Sequence, residues 1–137
     1  MLSVSTFLLP WQNFISLELP KGAKILSAYE MRGKLQLSAL VTPGCQNKTR
    51  NFFLVELPFE KYFSVDLPAR AKILKVFGTC SGVFLLAFVT PLNRIEARNF
   101  CIIESGRTID KPMESLRFIA DFCSDDSPSI SHLFEIK

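Results

Sequence analysis

Histidine is almost missing from this chain, with His132 the one residue of its kind among 137. A single imidazole on a polypeptide without a G-x-S-x-G nucleophile turn leaves hydrolase chemistry with no motif to stand on. The six glycines are scattered singly, so there is no phosphate-cradling loop. The four cysteines, Cys45, Cys80, Cys101 and Cys123, include no C-x-x-C pair, and with one histidine they do not make a zinc site. No apolar run approaches the roughly 18 residues of a membrane span. Charge of one sign is also scarce: the formal net charge is +3 and the pI about 8.7, well short of a dedicated nucleic-acid binder. The composition predicts no catalytic residues, no metal and no cofactor.

What the chain does have is hydrophobic content, 48%, with thirteen Phe but one Trp and two Tyr. Disorder is excluded at that level, and the aromatic load suits packed sheets. The chain also repeats itself. Residues 9–56 lie over 57–104 at a constant offset of 48, with 18 of 48 pairs identical. The identities include Ala23-Lys24-Ile25-Leu26 over Ala71-Lys72-Ile73-Leu74, Val41-Thr42-Pro43 over Val89-Thr90-Pro91, and Arg50-Asn51-Phe52 over Arg98-Asn99-Phe100. A position kept in both copies serves the shared fold or a site present twice.

Each copy alternates with period two in its first strand, Ile15, Leu17 and Leu19 against Phe14, Ser16 and Glu18, then Phe63, Val65 and Leu67 against Tyr62, Ser64 and Asp66. Pro20 and Pro68 end it. Further strands are predicted at 23–31 and 71–79, 35–41 and 83–89, and 51–56 and 99–104, with polar loops at 44–49 and 92–97. The fold expected is all-β: two tandem four-stranded antiparallel meanders, 1–56 and 57–137, related by pseudo-symmetry in one sandwich or barrel-like body. Residues 105–137 have no counterpart in copy one. There 113–123 fits a strand or a helix face, and a C-terminal β-hairpin is the preferred reading, turning at Ser124–Ser129.

The repeat also disposes of other readings. The first 17 residues carry no charged side chain, yet Leu9-Pro10-Trp11 recurs as Leu57-Pro58-Phe59, so they are expected to belong to the folded unit and not to a leader. None of the cysteines repeats, so they are expected as reduced, mostly buried thiols in a cytoplasmic protein. His132, among Ile130, Phe134 and Ile136, is expected to be a structural histidine satisfied by a backbone partner.

Two sets of residues are candidates for contact. Where copy one reads Gln36, Ser38 and Leu40, copy two reads Phe84, Leu86 and Phe88, making its third strand apolar on both faces. Copy one, the tail, another subunit or a partner must cover that surface, and internal cover is the favoured reading. Lys24, Arg50, Lys72 and Arg98 recur as pairs that suit phosphate oxygens, although edge charges and Arg-Asn contacts that pin a turn are the favoured reading.

The runs Leu17-Glu18-Leu19-Pro20-Lys21-Gly22-Ala23-Lys24-Ile25-Leu26 and Ala39-Leu40-Val41-Thr42-Pro43, then Thr49-Arg50-Asn51-Phe52 and the close His132-Leu133-Phe134-Glu135, resemble a family of short uncharacterised proteins of bacteriophages and mobile elements. That resemblance implies origin and fold and assigns no functional residue. The function expected is non-enzymatic: a phage or mobile-element accessory protein that binds a host or phage protein in the host cytoplasm, such as an inhibitor of a host process or defence system. A virion or assembly component, with duplication supplying symmetric contacts, is one alternative; a nucleotide or nucleic-acid binding module using the paired Lys/Arg positions is another. Homo-oligomerisation stays open.

Overall fold

Alternation of apolar and polar residues builds strands along almost the whole chain, and prolines and tight turns separate them. The structure, a computed structural model, describes residues 1–91, 94–123 and 129–137. Eleven strands lie among them: β1 (Ser3–Leu9), β2 (Phe14–Pro20), β3 (Lys24–Met31), β4 (Lys34–Val41), β5 (Asn47–Leu57), β6 (Tyr62–Pro68), β7 (Lys72–Thr79), β8 (Gly82–Phe88), β9 (Ile95–Glu104), β10 (Leu116–Cys123) and β11 (Ile130–Ile136). The only helical element among the described residues is a 3-10 turn, Met113–Ser115. The fold is all-β and antiparallel, the tail is a hairpin of β10 and β11, and 113–123 resolves as strand after that one turn. The expected turn at Ser124–Ser129 falls, except for Ser129, outside the described residues, as do residues 92 and 93 of the expected second loop.

Three open sheets form, with orders β1-β4-β3, β2-β5-β8-β7 and β6-β9-β11-β10. They do not close into a barrel. The sheets cut across the repeats: β2 joins the middle sheet while β3 and β4 of the same copy turn back to the first. Strand β5 does double service. Its start pairs with β2 (Leu17↔Arg50) and its end with β8 (Leu54↔Leu86), and β9 likewise pairs with β6 (Val65↔Arg98) and β11 (Ile102↔Leu133). Residues 47–49 and 95–97 were expected as loops; they are strand, because those first halves are needed to hold β2 and β6. The sequence also gave no sign of β1, which pairs with β4 as the end of β5 pairs with β8 (Thr6↔Ser38).

The middle sheet is covered on both faces. One core lies between the first and middle sheets, holding Leu35, Leu37 and Ala39 with Phe52, Leu54, Phe77 and Leu86. A second core lies between the middle and third sheets, holding Leu85 and Ala87 with Phe63, Val65, Phe100 and Leu133. Burying a side chain of this size stabilises the fold by about 1.5–3 kcal/mol.

The tail does have a structural counterpart. Strands β3, β7 and β10 share one bulge, at Leu26, Leu74 and Ile119. The amides of Ala23, Ala71 and Ser115 each reach back to a proline carbonyl, of Pro20, Pro68 and Pro112, at 3.1, 3.1 and 3.0 Å. The third unit follows the second at shorter spacings than 48, which a gap-free comparison misses.

Candidate functional site

Strand β8 carries Phe84, Leu86 and Phe88. Leu86 is fully buried in the core shared with the first sheet. Phe84 and Phe88 are half-buried: Phe84 packs against Trp11 at 5.2 Å and Phe77 at 6.2 Å, and Phe88 meets Phe52 edge-on at 5.9 Å. The indole N–H of Trp11 donates to the Gly33 carbonyl (3.0 Å), which fixes it over Phe84. Copy one supplies the cover that the both-sided apolar strand requires.

The paired basic residues divide into two kinds. Lys24 and Lys72 are exposed. Arg50 Nη1 donates to the Ala23 carbonyl and Arg98 Nη1 to the Ala71 carbonyl, both at 2.7 Å, so each arginine ties its strand to the corner after the previous proline. Beside them Ser16 Oγ donates to Asn51 (2.7 Å) and Ser64 Oγ to Asn99 (2.5 Å). The repeated Arg-Asn pair thus pins the fold in both copies.

The copies differ in what lies over the arginine. Arg50 stacks on the Phe88 ring at 5.0 Å, a cation-π contact. Arg98 instead makes a two-pronged ion pair with Glu135, Nε to Oε2 at 2.7 Å and Nη2 to Oε1 at 2.6 Å. The Arg98 hydrogen bonds hold the Glu135 carboxyl below its usual range against the opposing effect of burial, and raise Arg98 in turn.

Lys72 and Arg98 line one groove, of 720 Å³, where β7 meets β10; Arg70, Glu96, Arg117 and Phe118 share it. Arg70 stands where copy one has Gly22. Both adopt left-handed backbone, φ 64° and 82°, which costs an arginine about 1 kcal/mol that glycine avoids. Sequence reasoning missed Arg70 and Arg117. The Gly22/Arg70 exchange was a visible signal for the first; Arg117 stands two residues before its bulge as Lys24 and Lys72 do, but at an offset shorter than 48.

His132 is not held by the backbone. Its Nδ1 lies 2.5 Å from Asp121 Oδ1 and its Nε2 lies 2.7 Å from Ser105 Oγ. An ionised carboxylate only accepts, so Nδ1 carries the hydrogen and a neutral ring accepts from Ser105. Hydrogen-bond order alone does not make a nucleophile. The Ser105 amide, which an acyl-transfer site would aim at an oxyanion, is spent on the Ile130 carbonyl at 3.0 Å, and the Asp121 side chain is 55% exposed. A 430 Å³ pocket is lined by Glu104 and Arg107 on either side of Ser105, but not by Ser105 itself. The trio ties β9, β10 and β11 together.

The cysteines correct their expectation too: Cys101 is buried, whereas Cys45, Cys80 and Cys123 are exposed. Among the described residues no cluster of His, Cys, Asp and Glu could hold a metal ion, and no helix is long and apolar enough to cross a membrane. No family model, curated protein or solved structure matches the chain.

Exposed apolar side chains run along β1 and the residue before it. Leu2, Val4 and Leu8 are 62%, 63% and 60% exposed. By the repeat, Met1–Ser5 correspond to the stretches of β5 and β9 that carry β2 and β6. Among the described residues no strand lies on that edge of β1.

Proposed function

We propose that this protein is a non-enzymatic accessory protein of a phage or mobile element that acts by binding another protein, taking an extended segment of it onto the free edge of β1. The open edge carries this reading. In the other two sheets the same place is filled by a strand, and from Met1 to Leu17 the chain carries no charged side chain that would repel one. Natural edges are usually blunted by lysine, proline or a bulge; β1 has none of these from Ser3 to Leu9. Unpaired backbone groups supply the affinity in such strand addition and alternate side chains supply the specificity. The chemistry of the incoming segment is read from β2 and β6: apolar side chains on alternate positions, such as Ile15, Leu17 and Leu19, with a proline at the end. The resemblance of the repeated L-P-x-x-A-K-I-L element supports the phage or mobile-element origin, and inhibition of a host process fits a small binding protein.

Amide hydrogen exchange tests this with a synthetic peptide copying Phe14–Pro20. The alternate amides of Leu2–Ser5 that point away from β4 exchange rapidly in the free protein and become protected when the peptide is added, and Val4→Lys abolishes the protection. Unchanged exchange with peptide in excess sinks the reading. Protection that grows with protein concentration alone identifies a second copy, not a partner, as the occupant.

A further inference from the structure

We propose that the groove between β7 and β10 is a nucleotide-phosphate site, formed by Arg70, Lys72 and Arg117 around a stacking surface on Phe118. It is independent of the β1 edge. Four cations and two carboxylates line the groove, but the carboxylates are already committed. Glu135 is held by both prongs of Arg98, and Glu96 by Arg94 at 2.6 Å. Arg98 is spent as well, since its remaining nitrogen donates to the Ala71 carbonyl. Three exposed cations, Arg70, Lys72 and Arg117, therefore border 720 Å³ of space, and among the described residues none of the three makes an ion pair, although Arg117 is close enough to Glu135 to be felt by it.

That volume suits one nucleotide. Guanidinium groups match phosphate oxygens, and an ammonium adds a compact third charge. Phe118 is 55% exposed; its edge-on contact with Phe134 at 5.8 Å leaves ring surface for a base.

Arg70 gives a separate reason. The chain places an arginine in left-handed backbone where its own first copy uses glycine, and the turn hydrogen bonds are the same in both, Ala23 to Pro20 and Ala71 to Pro68. The turn itself does not need the arginine. Arg32 and Arg70 are the non-glycine residues held in left-handed backbone among those described, and Arg70 is the one whose side chain lines the groove.

The shared chemistry, phosphate next to a base, is found in free nucleotides and in single-stranded nucleic acid. Titrations with sodium pyrophosphate, ATP and a short oligothymidylate separate the sources. The expected result is binding at low salt that weakens for oligothymidylate with a log-log slope of about −2, as three phosphate contacts give on a single strand. Phe118→Ala weakens ATP or oligothymidylate about tenfold and leaves pyrophosphate unchanged. Arg70→Gly raises the melting temperature, by relieving the turn, while weakening all three ligands, a combination that a purely structural arginine would not produce. Arg117→Ala weakens binding without the gain in stability. Stronger response to ATP than to oligothymidylate points to a free nucleotide, and the reverse to a strand. No binding by any probe at low salt, binding indifferent to Arg70→Gly and Arg117→Ala, or pyrophosphate binding alone overturns the proposal.

Discussion

Leu86→Ala lowers the unfolding free energy by about 3–4 kcal/mol in urea denaturation, while Ser38→Leu, at the matching position of the first sheet, changes it by no more than about 0.5 kcal/mol. The two positions are equivalent in the repeat yet differ in surroundings. Leu86 is fully buried between the first and middle sheets, so removing its side chain leaves a cavity. Ser38 sits half-buried on the outer face of the first sheet, where Tyr29 approaches it at 3.3 Å. A loss below about 1 kcal/mol for Leu86→Ala would show that the first sheet does not cover the middle one.

Glu135→Ala costs about 2–3 kcal/mol at neutral pH, because it strands the Arg98 guanidinium in a site where its side chain is only 20% exposed. Glu135→Phe costs less, since it restores at Arg98 the ring that Phe88 offers Arg50. The pH dependence follows from the lowered Glu135 pKa. A carboxyl whose folded pKa is depressed adds stability above its unfolded value, about 4.3, and that stability disappears as pH falls through the folded value. Thermal melts from pH 6 downward should therefore show a steeper acid loss in the wild type than in Glu135→Gln. Parallel acid limbs in the two proteins would remove the ion pair from the account of stability.

Much of this architecture was legible because it was written twice. The period-two pattern of β2 and β6, the proline stops and the polarity contrast between Gln36, Ser38, Leu40 and Phe84, Leu86, Phe88 all come from local side-chain chemistry. The contrast even implied a sheet covered on both faces. What stayed hidden depended on pairing at a distance. Whether β2 lies beside β3 or beside β5 is decided by pairing between residues 27 to 39 apart, which periodicity does not register. The same holds for β1, whose sequence shows its meaning only against the end of β5, and for the third unit, where altered spacing hid Pro112 and Ile119 from their counterparts. At the sites, the duplicated Arg50 and Arg98 were visible as a pair, but their carbonyl partners Ala23 and Ala71 look like ordinary core alanines. The Ser105, His132 and Asp121 trio was out of reach of any spacing rule, because two strands and the turn after a third supply it.

The double service of β5 has a consequence for the chain as an object that can be cut. A backbone break in the turn between β5 and β6, near Glu60, divides the middle sheet into two ribbons, β2-β5 on one fragment and β8-β7 on the other. Each ribbon keeps its outer strand and loses its inner neighbour. The repeats are thus interlocked halves of one sheet, and the two pieces, expressed separately, should find each other through Phe52–Leu57 and Val83–Phe88 and reassemble without a covalent link. Co-purification of the fragments, lost when Leu86→Ala is introduced into the second, would make this protein a split reporter whose seam is the β5–β8 strand pair together with the core that the first sheet shares with Phe77 and Leu86.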